Sequence, residues 1–171
     1  MRKITNSMLE LAKLRDYKPK LEEINIEELF NQIANSLAPV IQKENVKFFL
    51  EPTEGHVIGQ LDLIKSMIAN LCINAIKACA PDVGTVVLKA VLTTYTVEII
   101  VSDNGCGIES DKIYKLTEPF YQVNTVRNKM IEGVGLGLAI VKQIVDIHEA
   151  QLIIESEVGV GTEVKVIFTT S

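Results

Sequence analysis

The sequence predicts an α+β fold, a two-layer α/β sandwich with a mixed sheet of about five strands and helices on one face. Three observations carry this. Helix-period and strand-period segments mix along the chain without strict strand–helix alternation. The length, 171 residues, fits one domain with at most a small appendage. Hydrophobic residues make up 47%, enough to build a core and too many for a disordered chain.

Residues 1 to about 16 read as a helix, with Met1, Ile4, Met8 and Leu11 forming a narrow seam. Pro19 stops it, because the residue before a proline avoids helical backbone. One short seam cannot bury itself, so a partner helix outside this sequence is expected. A second helix covers roughly 26–43, with Ile26, Leu29, Phe30, Ile33, Leu37, Val40 and Ile41 on one face. Asn25 followed by Glu28 resembles a capping box. Pro39 should bend or shorten the last turn. VKFFLE, 46–51, is a short strand, and a third helix spans about 60–79. Two strands rich in Val, Thr and Ile follow near 85–92 and 95–103, turning at Thr93–Thr94. Residues 104–132 lack strong periodicity, and a connection that long in a compact domain points to a functional lid. A fourth helix runs about 134–148, and strands near 151–157 and 162–169 close the chain.

Composition excludes several functions. Lys and Arg total 17 against 22 Asp and Glu, a net charge of −5, and aromatics are 5% with no Trp. A nucleic-acid binder should be basic, so none is expected as a partner. Two histidines, His56 and His148, cannot form a His-rich metal centre. The three cysteines include no C-x-x-C pair and fit a reduced, cytoplasmic compartment. No apolar run approaches membrane-spanning length and the N-terminus has no apolar signal-peptide core, so no direct membrane contact is expected in this segment.

Four clusters could carry chemistry. Asn70, Asn74 and Lys77 stack on the polar face of the third helix. Amide oxygens suit hard Mg²⁺, and Lys supplies a point charge for phosphate. Asp103-Asn104-Gly105-Cys106-Gly107-Ile108 follows a strong strand. There a carboxylate can accept a hydrogen bond from an amino group, and glycines let a ligand approach the backbone. Gly133-Val134-Gly135-Leu136-Gly137-Leu138 opens the fourth helix, where unpaired N–H groups and the dipole favour phosphate. Its G-x-G-x-G spacing is neither the dinucleotide fingerprint nor the Walker loop. Gly159-Val160-Gly161-Thr162 links the last two strands. Each cluster also has an ordinary explanation: a solvated helix face, an Asn-Gly turn, a glycine-rich helix start, a hairpin turn.

Taken together and in this order, the clusters resemble the ATP-binding domain of sensor histidine kinases, within the gyrase, Hsp90, histidine kinase and MutL ATPase superfamily. NLCINAIK resembles the N box, DNGCGI the first glycine box, EPFYQ the F box, GVGLGLAI the second glycine box and GVGTEVKVIF the last. The likeness covers about residues 21–169 and implies the Bergerat ATP-binding fold. It implies that Asn74 binds Mg²⁺ on the nucleotide phosphates, Asn70 assists at the phosphates or the attacking imidazole, and Lys77 contacts phosphate. Asp103 would recognise the adenine amino group with Thr162 in support, directly or through water. Gly105 and Gly107 would admit base and ribose, with Ile108 beside them. Residues 109–132 would form the ATP lid, hinged by packing at Phe120. Gly133, Gly135 and Gly137, with Leu136 and Leu138, would wrap the phosphates, and Arg127 and Lys129 would reach them from the lid.

The sequence departs from the family pattern at Ala78, where many members carry an aromatic, at Glu132, and at His148-Glu149-Ala150, where H-G-G is usual. The resemblance implies that residues 1–18 are the end of a dimerisation helix and that 19–171 are the catalytic domain. The γ-phosphoryl of ATP would pass to a histidine on a separate dimerisation hairpin of a homodimeric kinase, then to a response regulator. Neither His56 nor His148 sits in an acceptor context. A stand-alone anti-sigma-type serine kinase and a non-catalytic nucleotide-dependent module share the fold and remain the alternatives.

Overall fold

The computed structural model describes residues 2–15, 17–51, 53–123 and 135–170. The elements are α1 (Arg2–Leu14), β1 (Glu22–Asn25), α2 (Ile26–Glu44), β2 (Lys47–Leu50), β3 (His56–Gly59) and α3 (Leu61–Ala78), then β4 (Thr85–Leu92), β5 (Thr96–Asp103), α4 (Ser110–Ile113), α5 (Gly137–Ile147), β6 (Gln151–Glu157) and β7 (Gly161–Thr169). Five strands form one mixed sheet in the order β2-β4-β5-β7-β6. The β2–β4 pair is parallel and the others are antiparallel. Helices α2, α3 and α5 supply the apolar layer against it.

Strand parity decides which side chains meet that layer. Val97, Ile99 and Val101 of β5 are buried in the core, as are Val166 and Phe168 of β7. Alternation then puts Asp103 and Thr162 on the same, helix-facing side. On α3 the inner face is wider than its sequence pattern: Met67 and Ile76 are fully buried alongside Ile64, Ile68, Leu71 and Cys72.

Several expectations need correction. Strands β1 and β3 form a separate antiparallel two-stranded sheet that the sequence pattern did not predict. The 104–132 connection holds the short helix α4. The fourth predicted helix starts at Gly137, inside the expected boundary. Helix α2 runs through Pro39 to Glu44. The carbonyl that proline leaves without an N–H belongs to Asn35, an exposed residue whose carbonyl water can serve. Asn25 does cap α2, accepting the Glu28 N–H at 2.9 Å.

Helix α1 finds its packing partner within the chain, against α5. Leu14 is buried and Leu11 packs on the core, while Met8 and Leu9 are 50% and 53% exposed. Ser66 of α3 also donates to Glu10 Oε1 at 2.8 Å.

Both ring nitrogens of His148 are used. Nε2 accepts the Gln60 N–H at 3.0 Å, so the proton sits on Nδ1, 2.7 Å from the Ile144 carbonyl. Burial lowers its pKa and keeps the ring neutral. Gln60 in turn donates to Tyr17 Oη at 2.6 Å and accepts the Lys20 N–H at 3.1 Å. His148 is thus a structural tie between the start of α3, the end of α5 and the segment after α1.

Glu149, the next residue, has a φ of 52°. A left-handed backbone costs a side-chain-bearing residue about 1 kcal/mol. Glu149→Gly is therefore expected to stabilise the fold by about 0.5 kcal/mol, read as a small rise in the urea midpoint.

Candidate functional site

The site has two ends. The first gathers at the end of β5, where Asp103 stands opposite Thr162 of β7, and Thr162 stands opposite Ser156 of β6. The three form a row on the helix-facing side of the sheet. The loop after Asp103 turns back at once: the Gly105 N–H donates to Asp103 Oδ1 at 2.8 Å, and the Cys106 N–H donates to the Ala78 carbonyl at 3.1 Å. That tie presses the loop onto the end of α3. A Cβ on Gly105 would lie 2.5 Å from the Ala78 oxygen. Gly107 has a φ of 69° and passes so near β6 that a Cβ would sit 2.0 Å from the Glu157 carbonyl. The Gly159 N–H then donates to the Cys106 carbonyl at 2.8 Å, joining the first and last glycine loops. Asn104 fastens the turn, accepting the Thr85 N–H at 2.7 Å and donating to the Val83 carbonyl.

Burial pushes the Asp103 carboxyl up to about 6, against the opposing pull of the Gly105 and Thr162 N–H groups. Ile108 enters through its backbone, its N–H donating to Ser156 Oγ at 2.8 Å.

The second end lies where α3 meets the start of α5. Asn70 and Lys77 are half-buried and Asn74 is exposed. A Cβ on Gly137 would lie 3.1 Å from Asn70 Oδ1 and 3.7 Å from Asn74 Oδ1. Two amide oxygens of α3 therefore face the first turn of α5, whose leading N–H groups have no intrahelical partners. The dipole adds positive potential there. Asn70 is held with its oxygen on this side, because Nδ2 donates to the Ser66 carbonyl at 2.9 Å. The side chains of Leu136 and Leu138 are anchors: Leu136 is buried and Leu138 packs on the core. They offer the site only backbone.

Phe120 and Gly135 meet backbone to backbone. The Phe120 N–H donates to the Gly135 carbonyl at 2.9 Å, and a Cβ on Gly135 would sit 2.8 Å from Phe120 C. The Phe120 side chain is 55% exposed and its φ is 67°. Arg127, Lys129 and Gly133 lie outside the described residues.

Sequence reasoning did not assign Ser156 or Ser66 to the site, and it carried Gly161 only as part of the last glycine loop. Gly161 carried a signal as the second glycine of the last loop. A Cβ there would fall 1.9 Å from the Asp103 carbonyl. Ser66 carried one too, four residues before Asn70 on the same helix face. Burial pushes the Cys79 thiol up to about 11 and Cys72 up to about 12, away from the reactive thiolate. Among the described residues no cluster of three His, Cys, Asp or Glu side chains could hold a metal. Nor is any described helix long and apolar enough to cross a membrane.

Known proteins resemble this chain in sequence and fold. Sensor histidine kinase RcsC of Salmonella typhimurium is 32% identical over 166 residues, 94% of this chain and 17% of RcsC. The phosphate regulon sensor protein PhoR of Pseudomonas aeruginosa is 31% identical over 165 residues, 95% of this chain and 37% of PhoR. The chain thus spans less than two fifths of either relative. The nucleotide-free catalytic domain of histidine kinase ThkA superposes with a TM-score of 0.74 at 25% identity, covering 88% of this chain and 97% of that one. A family model described as histidine kinase-, DNA gyrase B- and HSP90-like ATPase matches residues 59–171. With Asp103, the paired asparagines and the glycine loops inside that span, the chain belongs to the histidine kinase-, DNA gyrase B- and HSP90-like ATPase family.

Proposed function

We propose that residues 19–171 form the ATP-binding catalytic domain of a sensor histidine kinase, with residues 1–18 the end of a dimerisation helix. The observation that carries this is the meeting of Asn70 and Asn74 oxygens with the α5 N-terminus around Gly137. A side chain at Gly137 would crowd the space between amides and helix end, and glycine leaves it open for phosphate oxygens. Neutral amide oxygens beside phosphate fit Mg²⁺, and Asn74, the more exposed of the two, would hold it. Mg²⁺ there would supply charge neutralisation along the phosphates.

At the other end, ionised Asp103 accepts a hydrogen bond from the 6-amino group of adenine, with Thr162 in support. Gly105 and Gly107 keep side chains out of the path of base and ribose. Along the phosphates, the leading N–H groups of α5 bind oxygens, Lys77 adds a positive charge, and Asn70 orients the terminal phosphate or the incoming imidazole. An imidazole nitrogen then bonds to the γ-phosphorus while the bond to the ADP oxygen breaks, and ADP leaves with that electron pair. The chain contributes positioning and electrostatics to this transfer. AMPPNP is bound in full-length ShkA, which superposes on this chain with a TM-score of 0.82 at 24% identity, covering 99% of this chain and 36% of that one.

The acceptor would be a histidine on a dimerisation hairpin of a homodimeric full-length kinase, and a response regulator would receive the phosphoryl next. His148 is the tie described above, and His56 lies on the short strand β3.

The test is phosphorylation in trans of a purified dimerisation hairpin, with γ-labelled ATP and Mg²⁺. Acid-labile, base-stable label on the hairpin is the expected result; acid-stable label would mean serine transfer and overturn the proposal. Asn74→Ala is expected to slow transfer about 100- to 1,000-fold. Because Asn74 is exposed, the melting temperature should stay within about 2 °C of wild type. Transfer at the wild-type rate would remove Asn74 from the mechanism.

A further inference from the structure

We infer that Ser156 is a specificity-determining positioning residue: acting through Thr162, it leaves the base end of the site with hydrogen-bond acceptors only, which selects a 6-amino purine over a 6-oxo purine. This rests on the reading of Asp103 as the base-recognition residue.

A serine hydroxyl has one proton and two lone pairs. The Ile108 N–H donates into Ser156 Oγ at 2.8 Å and occupies one lone pair. The Gly161 carbonyl, 3.0 Å away, can only accept, so it takes the serine proton. Thr162 Oγ1 lies 2.8 Å from the same oxygen. The remaining contact is satisfied only if Thr162 donates its own proton to the second lone pair. Ser156 is then saturated, with one bond given and two received.

The consequence falls on Thr162. With its proton committed to Ser156, its hydroxyl oxygen presents lone pairs alone. Thr162 stands in register with Asp103 on the helix-facing side of the sheet. An ionised carboxylate is also an acceptor only. A purine whose edge reaches this pair must bring donors. The exocyclic amino group of adenine brings two N–H bonds, one for each acceptor or for a water between them. A 6-oxo purine brings a carbonyl oxygen at position 6, with its N1–H donor one ring atom away, so lone pairs face lone pairs where the amino group would stand. Sites built around such polar pairing reject the mismatched edge strongly, because buried polar groups are left unpaired.

Ser156 itself touches neither base nor phosphate in this account. It sets the direction of one proton, and it ties the first glycine loop, at Ile108, to the last one, at Gly161.

The experiment measures MgADP and MgIDP affinities by titration calorimetry at pH 8 on the purified chain, since the two bases differ at position 6. Wild type is expected to prefer ADP by about 100-fold or more. Ser156→Ala frees the Thr162 proton to rotate, and the ADP-to-IDP preference should fall by about 5- to 10-fold. Ser156→Thr, which keeps the hydroxyl, should restore most of it. Thr162→Val leaves Ser156 in place and should lower the preference independently, and adding Ser156→Ala to it should change the preference no further. Equal weakening of both nucleotides in Ser156→Ala, with the preference intact, would assign Ser156 a structural role and overturn the inference while leaving the Asp103 reading in place. A wild-type chain that binds ADP and IDP equally would overturn that reading and this inference together.

Discussion

Asp103→Asn is expected to weaken MgADP binding by about 10- to 100-fold at pH 8, the cost of losing a charge-assisted hydrogen bond. The same change should raise the stability of the nucleotide-free protein. The Asp103 carboxyl is raised from 3.8 to about 6 by burial. Between those values the folded state binds the proton more tightly than the unfolded chain. Stability therefore falls as pH rises through that window and stays at its lower level above it. Replacing the carboxylate with a neutral amide removes the penalty, on the order of 1 kcal/mol after allowance for partial exposure. The melting temperature at pH 8 should rise by about 2–4 °C. Wild-type affinity for MgADP should be flat above pH 7 and decline below pH 6, as a carboxyl that must accept becomes a donor. Thermal melts and calorimetric titrations across pH 5–8 check all three. A variant that melts lower than wild type at pH 8 while binding ADP normally would contradict both halves.

Gly161→Ala should be among the most damaging single methyls in the domain's binding face. The added carbon would meet the Asp103 carbonyl at 1.9 Å and Asn104 Cα at 3.0 Å, with a φ of +146°. Those neighbours are backbone, so relief requires β5 and β7 to part where Asp103 and Thr162 pair. A loss on the order of 3 kcal/mol is expected, together with loss of measurable nucleotide binding. Gly159→Ala is the matched control. Gly159 has a φ of +81° with nothing within 4 Å of its would-be Cβ, so it carries backbone strain without a clash. Its expected cost is about 1 kcal/mol. Urea denaturation of the pair separates the two causes. Equal midpoints would show that the contact with Asp103 relaxes at no cost.

These expectations draw on features with different visibility in the sequence. The helix-facing row on β5 was legible, because Val97, Ile99 and Val101 fix the parity that Asp103 inherits. The phase of α3 was legible for the same kind of reason: a 3.6-residue period separates Asn70 and Asn74 from Ile68, Leu71 and Cys72. Strand β1 was not, since its four residues, EEIN, hold one buried apolar side chain, Ile24. Its partner β3 lies between Gly55 and Gly59 and reads as a loop. The seam of α1 was visible, but not that the helix would pack on α5 or that Leu14, outside the seam, would be buried. The part played by Ser156 could not be read locally. It depends on a contact with Ile108, 48 residues away, and on a strand register that only the assembled sheet supplies.

The strand order has a consequence for how much length variation the domain tolerates. Central β5 takes its two neighbours from β4, just before it, and β7, far after it. Between Asp103 and α5 the described residues 104–123 hold the helix α4 and no strand. The ties of residues 104–108 to Ala78, Thr85 and Ser156 fix the start of this connection, and beyond them added length costs chiefly loop closure. Closure entropy grows with the logarithm of loop length, and doubling it adds only about 0.6 kcal/mol. That is less than the expected cost of the single methyl at Gly159. Insertions beyond the anchored residues are therefore expected to be thermodynamically cheap, and the sheet can keep its register while that connection changes length.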